Sequence, residues 1–217
     1  MLLVTGKCGR KCFYCPLSEE KRGKDLFFAN ERRVGQLEHV ILEAELMDAL
    51  GTGVTGGDPL CATERTVESI RALKKRFGMS HHVHLYTSTT DTRKIESVAG
   101  VGLDEIRFHP PVSMWRKLHK TPFANAISRS KRLGMDVGLE IPVIPGRSSE
   151  LVSAVAFADN MDLDFVNLNE LEFSETNWRS LRALEFEVKD EVSSGVKGSE
   201  ELAFDICLLY TSDAADE

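Results

Sequence analysis

"GKCGRKCFYCP", residues 6–16, places Cys8, Cys12 and Cys15 within eight residues of a 217-residue chain that has five cysteines. Clustered thiolates suit a soft metal. A structural zinc takes four protein ligands, and a fourth is not obvious here unless Cys61 or one of His81, His82 and His84 folds back. The other reading is an iron–sulfur cluster, in which three cysteines on a cubane leave one iron open for catalysis. A second stretch, "TGGDPL" (Thr55–Leu60), follows a short strand. Its glycines let the backbone approach a ligand with no Cβ in the way. Pro59 fixes the turn and removes a donor. Taken alone, such a turn is more often structural than ligand-binding. Cys61, just beyond it, reads as a buried thiol starting a helix, and His81 and His82, at the start of their strand, read as structural.

The elements around these residues alternate between short apolar strands and amphipathic helices. "LLVT" is a strand ending just before the cysteines, and "GVT" is one ending at the glycine turn. "HVHLYTS", "DEIRFHP", "DVGLEIPVI" and "DFVNLNE" supply four more strands. Between them lie "VGQLEHVILEAELMDAL", with Leu37, Ile41, Ala44, Met47 and Leu50 at helical spacing, and "TERTVESIRALKKRF". "TRKIESVAG", "FANAISRSKRLG", the serine-capped "SSELVSAVAFADN", "NWRSLRALEF" and "KGSEELAFDI" complete the helices. Six β-α units argue for a parallel sheet with outer helices. Charged residues 18–33 read as a surface insertion. No repeat or linker marks a second domain.

Side chains alternate faces along a strand. Val83, Leu85, Ile106, Phe108, Val137, Leu139, Ile141, Val166 and Leu168 form one set, which should face the helices. His84, Tyr86, Ser88, Glu105, Arg107, His109, Gly138, Glu140, Asn167 and Asn169 form the other. A doubly wound sheet, covered on both faces, wants near-continuous apolar strands. A polar inner face is costly if dry and makes sense around a polar ligand. The fold class expected is therefore α/β, a partial (β/α)6 TIM-like barrel with parallel strands and outer helices. The substrate-facing candidates are Arg107, His109, Glu140, Asn167 and Asn169. Arg107 would suit a carboxylate or phosphate on the substrate. A buried ion-pair network around Arg107 and Glu140 is a compatible alternative.

The net charge of −7 argues against non-specific nucleic-acid binding. No apolar run reaches membrane-span length, and "MLLVTG" is too short for a signal-peptide core. The expectation is a cytoplasmic protein with no membrane or nucleic-acid partner.

The C-x3-C-x2-C spacing resembles the signature of the radical S-adenosylmethionine (SAM) superfamily, down to the aromatic Tyr14 before the third cysteine. "TGGDPL" resembles that family's Gly-Gly-Glu-Pro motif with Asp58 for Glu. The blocks "LYTS", "DEIRFHPP", "GLEIPVIPG" and "NLNELEFSETN" look like a branch related to the pyruvate formate-lyase activating enzyme group. The resemblance implies a 4Fe–4S cluster on Cys8, Cys12 and Cys15, with SAM chelating the fourth iron. It implies SAM contacts from Tyr14, Gly56, Gly57, Asp58, Pro59 and Ser88. The carbonyls of the glycine turn and Asp58 would accept from the SAM ammonium, and His109 and Glu140 lie where ribose and methionyl contacts are common. It implies reductive cleavage of SAM to a 5′-deoxyadenosyl radical that takes hydrogen from a small-molecule or protein substrate. A one-electron donor such as flavodoxin or ferredoxin would feed the cluster. The competing readings are a non-enzymatic iron–sulfur or zinc module, or an inactive truncated fragment.

"CLLYTSDAADE", residues 207–217, resembles a translated transposon-based sequencing adapter. On that reading residues 1–206 are the radical SAM core, 207–217 are a non-native tail without a role for Cys207, and the natural sequence was cut near Ile206.

Overall fold

A computed structural model describes residues 1–213. One eight-stranded sheet organises the chain. Its six parallel strands are β1 (Leu2–Leu3), β4 (Gly51–Thr55), β5 (His82–Thr87), β6 (Glu105–Phe108), β7 (Asp136–Val143) and β8 (Phe165–Glu170). They lie side by side in sequence order, and the sheet does not close. This is the partial barrel that the alternation predicts. Each crossover carries a helix: α1 (Leu37–Leu46), α2 (Thr63–Phe77), α3 (Thr92–Ala99), α4 (Pro122–Arg132) and α5 (Ser148–Asn160). After β8 come α6 (Trp178–Ala183) and α7 (Ser199–Asp213).

Burial follows the period-two pattern in β5 and β6, whereas β7 is buried along most of its length and β8, with Val166 and Leu168, is only half-buried. Val83, Leu85, Ile106, Phe108, Val137, Leu139 and Ile141 are all fully buried. They meet Ile70 and Leu73 of α2, Ile95 and Val98 of α3, Ile127 of α4 and Leu151 of α5 in one apolar layer. Each such side chain contributes about 1.5–3 kcal/mol when taken from water. Phe108 and Phe123 meet edge to face at 6.2 Å, pinning α4 to β6. Lys74 is the exception in this layer, a cation 6% exposed. It is neutralised by Asp104 Oδ2 at 2.6 Å and donates to the Met79 and His81 carbonyls, so no polar group is orphaned.

Several expectations are corrected. Residues 18–33 are not merely a surface insertion. They include β2 (Phe28–Ala29) and run to β3 (Arg32–Arg33), an antiparallel pair that extends the sheet beside β1 and buries Phe27, Ala29 and Val34. Helix α1 stops at Leu46, because Asp48 takes a positive φ of 47° and turns the chain. Met47 and Leu50 are consequently exposed, and Val40 and Ala44 form the buried stripe. The serines do not cap α5, which starts after Arg147 without a side-chain cap. A kinked 3-10 segment, Val112–Lys120, precedes α4 and buries Trp115, whose Nε1 donates to the Pro110 carbonyl at 2.9 Å. Helix α7 continues past Ile206 to Asp213, and Tyr210 Oη donates to the Val152 carbonyl at 3.3 Å. Residues 214–217 of the adapter-like tail lie outside the described residues.

Candidate active site

The cysteine loop leaves β1 at the carboxyl end of the sheet, the end where functional loops gather in α/β folds. Three separate parts of the chain fix it. On one side is the glycine turn after β4: Gly57 N donates to the Thr5 carbonyl and Asp58 N to the Lys7 carbonyl, both at 2.8 Å. A Cβ on Gly57 would lie 2.4 Å from the Lys7 oxygen, and one on Gly56 2.2 Å from that of Thr5. Only glycine permits this backbone-on-backbone contact. On the other side, Asn177 Nδ2 donates to the Tyr14 carbonyl at 3.1 Å and Thr176 Oγ1 to that of Cys15 at 3.2 Å. Above the loop, Arg10 reaches Ser88 through Nε to Oγ (3.2 Å) and Nη2 to the carbonyl (3.1 Å).

Tyr14 is 7% exposed, and its hydroxyl lies 2.9 Å from His109 Nε2. His109 Nδ1 lies 2.7 Å from the Glu140 carbonyl, so Nδ1 carries the proton and Nε2 accepts from Tyr14. Burial holds His109 below the ordinary histidine range. Burial, together with the nearby Cys12, pushes Tyr14 upward. Burial also raises the thiols of Cys8 and Cys12. A metal that binds them displaces those protons.

Cys8, Cys12, Cys15, Tyr14, Gly56, Gly57, Ser88, His109, Glu140 and Asn169 line one open cleft of about 850 Å³. That is ample for a nucleoside-sized cofactor plus part of a substrate. Arg107 and Asn167 do not line it. Arg107 is held by Glu105, by Tyr86 Oη at 3.2 Å and by Glu140 Oε2 at 3.4 Å, between the rings of Tyr86 and Phe165. Glu140 also accepts from Asn167 at 2.8 Å and Asn169 at 2.5 Å. The network alternative is therefore realised, and an anion contact from Arg107 has no support in its position. Gly138 is glycine because the Phe165 ring occupies the place of its Cβ, 2.2 Å away.

Asp58 also departs from expectation. Its Oδ1 accepts from Leu60 N (3.0 Å) and Thr87 Oγ1 (2.8 Å), and its Oδ2 from Ser88 N (3.0 Å). It braces the turn against β5 and does not face the cleft. The Pro59 carbonyl is taken by Thr66 Oγ1. The carbonyl oxygens of Gly56 and Gly57, by contrast, accept no hydrogen bond among the described residues. Cys61 is exposed and not buried. His81 is buried against Thr52 and Phe77, and His82 and His84 lie at the other end of β5, so none of these histidines supplements the cysteines. Residues the sequence reading missed include the cleft-lining Arg10, Lys21, Arg22, Glu170 and Glu172 and the clamp Asn177. The basic "GKCGRK" run is a signal for Arg10, but nothing local announces Asn177.

A family model described as the radical SAM superfamily matches residues 2–158. The chain belongs to the radical SAM superfamily. Members of this superfamily use a 4Fe–4S cluster and SAM. A Methanocaldococcus jannaschii protein, named as a candidate glycyl-radical enzyme activating enzyme, is 38% identical over 219 aligned residues. The alignment takes in 98% of this chain and 58% of that protein, so the chain spans a little over half its relative's length. The residues here fit the superfamily's cofactors. Three thiols open into one cleft beside two unbonded glycine carbonyls.

Proposed function

We propose that the chain is a radical SAM enzyme of the activating kind, with Cys8, Cys12 and Cys15 as ligands of a 4Fe–4S cluster. The observation that carries this is the cysteine loop and the Gly56–Gly57 backbone bonded together in one cleft. When bound, the cluster and SAM supply a one-electron cleavage that yields a 5′-deoxyadenosyl radical able to take a hydrogen atom from substrate. The chain's own residues position and enclose. The Gly56 and Gly57 carbonyls are acceptors for the SAM ammonium. Tyr14, locked by His109, fixes the loop between Cys12 and Cys15. Ser88 holds Arg10 over the cleft, while Glu140 and Asn169 present polar atoms to the substrate side. The substrate is a protein, in line with the name of the relative and with a cleft open enough to admit a chain segment. A one-electron donor such as flavodoxin or ferredoxin reduces the cluster in the cytoplasm. Among the described residues, no helix is long and apolar enough to cross a membrane.

The test is anaerobic reconstitution with iron and sulfide, followed by SAM and dithionite. Mass spectrometry then counts 5′-deoxyadenosine beside a Cys12→Ala control. Product from the wild type alone is expected. An intact cluster that yields no product overturns the proposal.

A further inference from the structure

At the opposite end of the strands from the cysteines, His82, His84 and Glu105 gather on the inner face of the sheet. One ligand atom from each lies within 4.8 Å of the others, and this is the only such set among the described residues. We propose that these three residues bind a divalent cation of the zinc class, at a site separate from the cysteine cleft.

The geometry comes from the sheet. His84 pairs directly with Glu105 across β5 and β6, and His82 lies two residues back on the same face. Three ligands on two hydrogen-bonded strands are fixed by the backbone ladder before any metal arrives. His82 Nε2 and Glu105 Oε2 are 3.2 Å apart. Bonds of about 2.0–2.1 Å in a tetrahedral site place two ligand atoms about 3.3 Å apart, so this edge needs almost no adjustment. Two imidazoles and one carboxylate form a donor set that zinc accepts with a fourth position left to water. The second oxygen of Glu105 accepts from Arg107 Nε, which orients the carboxylate as outer partners of metal ligands commonly do. Across from His84 on β4 stands Gly53, where a Cβ would meet His84 Nε2 at 2.6 Å. That missing side chain gives the imidazole its room. The His82 side chain is 44% exposed, which provides an entry path. Ser88, just past the cysteine end of β5, lies four residue steps from His84, a rise of about 13 Å. The two sites therefore share no ligand.

The competing account is a plain His82–Glu105 ion pair, and zinc binding separates the two. The full chain with Cys8, Cys12, Cys15, Cys61 and Cys207 all changed to Ala removes the thiols that would otherwise take up zinc. Equilibrium dialysis of this variant against Zn2+, with metal counted by plasma emission, is expected to give one zinc per chain. His82→Gln and Glu105→Gln should each weaken binding at least tenfold, with folding checked by circular dichroism. In the wild-type chain, His82→Gln should lower the zinc count by one equivalent, whatever the cysteines hold. The exposed His82 makes that substitution safe for folding. No zinc on the cysteine-free chain, or zinc binding unchanged by His82→Gln in both backgrounds, overturns the proposal.

Discussion

Asn177 lies 163 positions from Tyr14, yet its amide donates to the Tyr14 carbonyl and, at 2.9 Å, to that of Glu172. Its Oδ1 accepts from Ser174 N at 2.7 Å, and the residue is 1% exposed. Such a saturated amide ties the end of the barrel to the loop that carries the cysteines. Asn177→Ala would orphan buried carbonyls, at a cost of about 1–3 kcal/mol. The same change should make the reconstituted protein lose iron faster to a chelator. Urea denaturation and the rate of bleaching near 400 nm measure the two effects. Unchanged bleaching would mean that the loop holds its shape without the clamp. Asp58 teaches a related lesson. A carboxylate in a ligand-binding motif reads as a ligand contact, but here its lone pairs go to Leu60 N, Thr87 Oγ1 and Ser88 N. Sequence identifies the acceptor, whereas three-dimensional packing decides the donor.

At the scale of elements, strands and helices are legible wherever one face is buried. Val83 to Thr87 and Glu105 to Phe108 alternate because one side meets helices and the other meets polar groups. The β2–β3 pair was not legible, since its strands have two residues each and the charged Arg32–Arg33 carries no alternation. Nor was the 3-10 segment, where Trp115 and Leu118 are buried at a spacing too short to establish a helical period. His109 shows how elements couple. It follows β6, contacts the β7 backbone at Glu140, and supports the cysteine loop through Tyr14. Burial lowers its proton affinity despite the nearby Glu140 and Asp58. Below the unfolded histidine pKa of about 6.5, the unfolded chain takes up a proton that folded His109 resists. Stability contributed here is thus present above that pH and declines as pH falls. Urea midpoints at pH 7.5 and 5.5 should show this decline, and His109→Gln should make it smaller. An equal decline in the variant would assign the effect to other groups.

At the scale of the molecule, six parallel strands carry a polar inner face from one mouth to the other. Glu105 and Arg107 stand toward the amino end, Glu140 with its asparagines in the middle, and the cysteines and glycine turn at the carboxyl end. The polar face was visible as a period in the sequence. Its division into an internal network and an open cleft was not, because that depends on which side chains reach one another across strands. The central claim is that the three cysteines hold an iron–sulfur cluster. Iron, acid-labile sulfide and zinc counted on the anaerobically reconstituted chain test it most directly, beside a variant with Cys8, Cys12 and Cys15 all changed to Ala. The account predicts about four iron and four sulfide per wild-type chain, both lost in the variant. Iron that survives in the variant, or one zinc per chain in place of iron that the variant loses, would contradict it.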